Sequence, residues 1–283
     1  MSFSLTGLKR LTLLWVATAL AVSYIAQLQY DSWRRFGPPK IQTTYNIFIE
    51  PQPPNSETAL LASFGAREFL ADWYWLKTIQ YYGGGDPYGK YRKLAELFDV
   101  VVTLSPKFLA AYQTGLIILP GEGFVEEAIA LGKGGQRNLP DRWELPYYTG
   151  LVYHIYKKDY RAAAEQFTQA ASLPGAPPIV QYFSGVYRNL ANERQLAYEI
   201  FRTVAATSES DFIKERAAKY VLHLEVIFQL EDALKSYQAR FKRLPDSFEA
   251  LVAAGILGRV PQSPLGITLV LDRQTGAILE TKR

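Results

Sequence analysis

Residues 146–174 read PYYTGLVYHIYKKDYRAAAEQFTQAASLP, and this stretch decides the fold. Apolar residues recur at helical spacing over two runs, which read as two helices joined by a turn. Gly150 sits inside the first helical run and Ala163 inside the second. A glycine within a helix costs about 1 kcal/mol relative to alanine, so its presence needs a packing reason. Close approach of the paired helix supplies one, with Gly150 facing Ala163 and Phe167 one turn further on. Pro174 then ends the second helix.

The same pattern lies on either side. Pro106, Pro140 and Pro174 are spaced by 34 residues. Tyr112-Gln113-Thr114-Gly115, Tyr147-Tyr148-Thr149-Gly150 and Tyr182-Phe183-Ser184-Gly185 follow one another at a spacing of 35. Ala128, Ala163 and Ala197 stand 12 or 13 positions after those glycines, and Phe167 and Phe201 come four after the last two alanines. Several coincidences in one register mark a duplicated helix-turn-helix unit, which buries its apolar face by stacking on copies of itself. The spacing predicts the contacts Gly115–Ala128, Gly150–Ala163 and Gly185–Ala197, with the aromatic of each second helix turned toward the next unit.

This pattern resembles the tetratricopeptide repeat, with its small residue on the first helix, alanine and aromatic on the second, and proline between units. Residues 146–174 match best, through Gly150, Tyr153, Asp159-Tyr160, Ala163, Phe167, Ala170 and Pro174, with an inter-helix turn one residue longer than the family norm. The unit from Phe108 to Pro140 departs from it. Gly132 stands where an aromatic is expected, and Gly132-Lys133-Gly134-Gly135 is read as a loose helix end that breaks the second helix. The unit from Pro178 to Ala206 lacks the closing proline. An earlier unit, Ser63 to Pro106, carries Trp73-Tyr74-Trp75-Leu76 on its first helix and Leu94 and Phe98 on its second. The resemblance implies an all-α helical-repeat solenoid that binds protein segments in a concave groove. It also implies that the residue three before each glycine lines that groove. Tyr112, Tyr147 and Tyr182 are therefore expected to form a ladder of half-exposed rings, with His154 on the same side. Tyrosine offers contact area at low entropic cost and a polar tip. The competing reading is that these rings pack between repeats.

Outside the repeats, Leu11 to Tyr30 carry no charged side chain. A helix of twenty residues spans about 30 Å, the thickness of a bilayer's hydrocarbon core. Lys9 and Arg10 flank one end, and Tyr30, Trp33, Arg34 and Arg35 the other. The segment reads as a transmembrane anchor that binds lipid. A signal peptide cleaved after Ala21 and a buried core helix are the alternatives. Basic residues nearly balance across the segment, and the bulk of the chain is expected outside the cytoplasm. The organisation is then an anchor over residues 1–33, a Pro-rich extended linker over 34–55 and repeats over 56–206. A capping helix over 207–240 and a small module over 241–283 follow. In that last module Asp246-Ser247 caps a short helix, and Thr268 to Leu271 with Ala277 to Leu279 form a hairpin around Asp272–Gly276. Residues 237–279 resemble the tail of type II secretion pseudopilins through Tyr237, Leu244-Pro245, Leu251, Gly255, Pro261, Pro264, Gly266 and Asp272 to Gly276. That likeness points to a bacterial envelope setting.

Composition narrows the chemistry. The chain has 283 residues, 48% hydrophobic and 20% charged, enough for a packed core. It has no cysteine, which excludes disulfides and thiolate metal sites. The net charge of +4 is dispersed, without the basic cluster that nucleic acid requires. His154 and His223 are the two histidines and lie far apart in sequence. Glu122, Glu126 and Glu127 suit the first turn of a helix, where acids favour the dipole. No hydrolase, zinc-protease or dinucleotide motif occurs. The expectation is a scaffold that is not an enzyme and needs no cofactor or metal. Its partners are proteins, notably subunits of a secretion, pilus or electron-transfer complex. A secreted, self-associating structural protein is the alternative.

Overall fold

The computed structural model describes residues 20–28, 30, 31, 34, 50–84 and 91–281. Residues 20–28 are helical, with their apolar side chains exposed. Residues 1–19, 29, 32 and 33 of the expected anchor, and 35–49 of the expected linker, lie outside the described residues. Among those described, no helix is long and apolar enough to cross a membrane. Residues 1–49 and 50–283 are separate compact units.

The second unit begins with a short helix, α1 (Ser56–Ala62), capped by the Asn55 side chain on the Thr58 N–H. Four antiparallel helix pairs follow: α2 (Arg67–Gly83) with α3 (Leu94–Leu104), α4 (Leu109–Ile118) with α5 (Val125–Asn138), α6 (Glu144–Val152) with α7 (Tyr160–Ser172), and α8 (Pro178–Leu190) with α9 (Arg194–Thr207). These pairs carry the helix-turn-helix pattern that the spacing predicts. A long helix, α10 (Asp211–Phe241), packs along α9 and starts at Ser210, whose hydroxyl accepts from the Ile213 N–H. The chain closes with α11 (Phe248–Ala253) and the hairpin β1 (Thr268–Leu271) and β2 (Ile278–Thr281), antiparallel with Thr268 opposite Thr281.

The extra residue between the helices of the third pair does not lengthen a loop. It is absorbed by a π-helical turn, Tyr153–Lys157, that continues α6 and ends on left-handed Lys158. One inserted residue widens a helical turn in this way without disturbing the register on either side. Asp159 then caps α7 by accepting from the Ala162 N–H at 2.9 Å.

The glycines pack as close-approach points, and their nearest neighbours are larger side chains than the expected alanines. A Cβ on Gly150 would stand 3.1 Å from the Phe167 ring, one on Gly185 2.9 Å from the Phe201 ring, and one on Gly115 2.3 Å from Leu131. The aromatic thus lies over the glycine of its own unit and also reaches the next element, as expected: Phe167 stacks on Tyr187 and Phe201 on Tyr220, each with centroids 4.5 Å apart. The predicted alanines Ala128, Ala163 and Ala197 are fully buried beside this contact and are not the glycines' nearest neighbours. A flat ring needs more room than a methyl group, and only glycine leaves it.

The second correction concerns Gly132-Lys133-Gly134-Gly135, which do not break their helix. α5 runs through them to Asn138. A Cβ on Gly132 would meet Thr149 Oγ1 at 2.3 Å, and one on Gly135 the Tyr112 ring at 2.9 Å. These glycines let α5 lie closer to α4 and α6 than any side chain permits, and that burial offsets their low helix propensity.

The carboxyl-terminal module shares its core with the last repeat. One apolar cluster joins Tyr182, Phe201, Leu224, Ile227, Tyr237, Phe248, Leu251, Leu271 and Ile278. The long helix therefore covers the apolar face of α8 and α9 on one side and seats the hairpin on another.

Candidate functional site

Small residues open a cleft between α3 and α5, the second helices of the first two pairs. Ala95 on α3 and Ala130 and Gly134 on α5 line its walls, so no side chain crosses the gap. The cleft holds about 680 Å³, which falls within the range of ordinary ligand pockets. Its floor is apolar, built from Phe98, Leu119, Phe124 and Leu131 around the Tyr112 ring. Its rim carries both charges, with Glu96, Asp99 and Glu127 against Arg92 and Arg137. Two of these acids have partners already: Lys93 bonds Glu96 at 2.7 Å, and the Ser56 hydroxyl donates to Asp99.

Tyr112 forms the base of this cleft. It is 1% exposed, and its hydroxyl accepts from Asn138 Nδ2 at 2.8 Å and donates to the Pro106 carbonyl at 3.3 Å. Burial pushes the phenol's pKa up, against opposing effects from the Asn138 bond and the Arg137 charge. The phenol stays protonated and ties the end of α5 to the turn before α4.

The expected tyrosine ladder does not form. Tyr182 is buried against Phe201 and Tyr220, with ring centroids 5.7 and 5.8 Å away, and its hydroxyl lies 3.3 Å from Arg216 Nε. Tyr147 is half-buried, edge-on to Phe167 at 5.5 Å and to Trp143 at 5.8 Å. Tyr182 and Tyr147 belong to different apolar clusters, and neither lines the cleft. At Tyr112 and Tyr182 the residue three before the glycine shares the buried seam, because consecutive elements stack tightly enough to cover it. Tyr112 and Tyr182 are core, as the competing reading held, while Tyr147 is half-buried at the edge of its cluster.

His154 lies in the π-turn, against Tyr187 at 4.9 Å and Tyr160 at 5.8 Å. Its Nδ1 is buried without a hydrogen-bond partner. Burial, reinforced by the Lys158 charge, lowers its pKa, so it packs as neutral imidazole.

A second polar constellation, which spacing could not reveal, joins the tail to the last repeat. His223 is fully buried on α10; its Nδ1 lies 2.8 Å from Ser263 Oγ and its Nε2 3.3 Å from Glu280 Oε2. Asn189 on α8 donates to Glu280 at 3.2 Å, and Arg194 bonds Glu231 at 2.6 Å and the Ile278 carbonyl at 2.8 Å. Burial pushes the Glu280 carboxyl up, but His223, Asn189 and Arg194 together outweigh it and hold the group below the usual range. Ser263 Oγ also accepts from the Leu265 N–H at 3.1 Å, which locks its turn. The arrangement works as a latch that fixes the hairpin to α8 and α10. In the hairpin's loop, Asp272 is occupied by the Gln274 N–H at 2.9 Å and the Thr275 hydroxyl at 2.6 Å. Among the described residues, no group of three His, Cys, Asp or Glu is placed to hold a metal ion.

No protein-family model matches the chain, and no curated protein matches it. Among solved structures, it is similar to the crystal structure of a thermophilic TPR protein in Thermus thermophilus, at 18% sequence identity and a TM-score of 0.35, over 59% of this chain and 97% of that one.

Proposed function

We propose that this chain is a membrane-tethered scaffold, not an enzyme, and that the cleft between α3 and α5 receives a segment of a partner protein. The observation that carries the reading is the cleft itself, which combines an apolar floor with a rim of both charges. Such a surface suits a polypeptide, whose side chains offer apolar anchors and both signs of charge within a few residues. The repeat pattern supports the same class of function, since stacked helix pairs present extended surfaces for other chains. The uncharged run from Leu11 to Tyr30 supports the tether, and the pseudopilin-like tail supports a bacterial envelope complex with the repeats outside the cytoplasm.

The test fills the cleft. Ala130 is exposed on the cleft wall, so Ala130→Phe adds a ring there without disturbing the core. Full-length wild-type and variant chains are purified from detergent-solubilised membranes, and co-purifying chains are identified. The expected result is a partner retained by the wild type and lost from the variant at an unchanged melting temperature. An identical set of partners from both refutes the cleft. Release of the wild type from membranes by a high-salt wash refutes the tether and favours the secreted, self-associating alternative.

A further inference from the structure

The first helix of the first pair is apolar on the side that faces away from the molecule. On α2, Ala71, Thr78 and Tyr81 are buried, and Ala71 packs with Val100 and Leu104 of α3. On the opposite side of the same helix lie Phe69, Trp73 and Leu76, spaced at i, i+4 and i+7, so they form one stripe. Phe69 is 72% exposed, Trp73 51% and Leu76 56%. A helix that is apolar on both faces is ordinarily enclosed on both.

The turn before α2 extends the stripe. Phe64 has a left-handed backbone, φ 45°, and Gly65 follows at φ 90°. Phe64 is 95% exposed. An aromatic in this backbone region is disfavoured, and no buried contact compensates for it here. Leu61, at the end of α1, is exposed as well. The result is a projecting aromatic at a turn, continuous with an apolar stripe, and bordered by Lys77, whose ammonium sits 5.3 Å from the Trp73 ring.

We propose that this stripe is a membrane-contact face, and that Phe64, Phe69 and Trp73 insert into the headgroup and upper acyl region of a lipid bilayer. The inference rests on the tether proposed above, and the chemistry of the face selects the occupant. Phe and Trp with a bordering Lys are the side chains that favour the membrane interface, where the ring is buried and the polar edge stays wet. The chain length limits how far this face can stand from a tether: residues 31–55 separate Tyr30 from α1 in sequence, and 25 residues reach at most about 90 Å. A protein held that close to a bilayer meets it at high effective concentration. Even modest apolar insertion then holds the first repeat against the lipid and turns the cleft and the tail to fixed sides.

The absence of cysteine makes the test direct, because a single introduced thiol is labelled alone. Full-length Phe64→Cys carrying an environment-sensitive NBD fluorophore is reconstituted into phosphatidylcholine–phosphatidylglycerol vesicles. Glu209→Cys, labelled likewise at an exposed site beyond α9, is the control. The expected outcome is a blue-shifted F64C emission that brominated lipids quench, more strongly with bromine at upper than at lower acyl carbons, while E209C stays water-like. Two outcomes overturn the face. One is F64C emission equal to that of E209C. The other is a shift that rises with protein concentration and is not quenched by brominated lipid, which places a second copy of the chain there. Alkaline carbonate extraction separates this result from the tether. Retention with a water-exposed F64C probe leaves the tether standing and rejects the face. Release of a chain whose probe was quenched before extraction rejects the tether and supports the face. A chain that never floats with vesicles rejects both.

Discussion

Gly185→Ala tests whether the aromatic of each unit holds the space over its own glycine. The added methyl would lie 2.9, 3.0 and 3.1 Å from three atoms of the Phe201 ring, closer than carbon atoms pack. That ring has no room to retreat. It is fully buried, stacked on Tyr220 with centroids 4.5 Å apart, and edge-on to Tyr182 at 5.7 Å. Overpacking of a rigid core costs about 1–3 kcal/mol. Alanine returns about 1 kcal/mol of helix propensity, so the net expectation is a loss of about 0–2 kcal/mol. Gly134→Ala is the matched control on α5. Its methyl would meet only Arg137 Nη2, at 3.8 Å, and the gain of about 1 kcal/mol is unopposed. The two substitutions share their chemistry and should move stability in opposite directions, about 1–3 kcal/mol apart. Urea unfolding followed by far-ultraviolet circular dichroism reads both midpoints. An increase from Gly185→Ala equal to that from Gly134→Ala would show that Phe201 does not hold the space above Gly185.

Three further predictions follow from particular contacts. Asp159→Ala removes the cap of α7 and should cost about 1 kcal/mol in the same unfolding assay, whereas Asp159→Asn should cost less. Tyr112→Ala and Tyr182→Ala should each lower folding stability by about 3 kcal/mol or more, since both rings are core; loss of a partner at unchanged melting temperature would restore the groove reading. Glu280→Gln tests the latch through pH. The carboxyl is held below its ordinary 4.5 in the folded protein, so its stabilisation is complete above that value and is lost as pH falls through the folded one. The wild type should therefore be more stable than the variant at neutral pH, with the gap closing as pH falls below the carboxyl's ordinary range; a gap constant with pH would remove Glu280 from the latch.

The sequence by itself determined the repeat. Helical period, the cap signal at Asp246-Ser247 and the hairpin around Asp272–Gly276 are local features, and the 35-residue spacing of Gly115, Gly150 and Gly185 repeats one local pattern. Each local signal is written within one or two turns of chain, and the structure forms helices in the repeats and a hairpin at the tail. Local signals do not say which side chain meets which across helices. Whether Phe167 and Phe201 turn back over their own glycines, and whether Tyr112 and Tyr182 are covered, depends on how tightly successive pairs stack. The glycines of α5 show the same limit. Propensity reads them as a break, and only the approach of Tyr112 and Thr149 shows why the helix continues. The cleft between α3 and α5 and the latch from His223 to Glu280 were likewise decided by tertiary structure alone. Their residues are distant along the chain, 57 positions apart in the latch, and no short-range pattern encodes a distance that only folding creates.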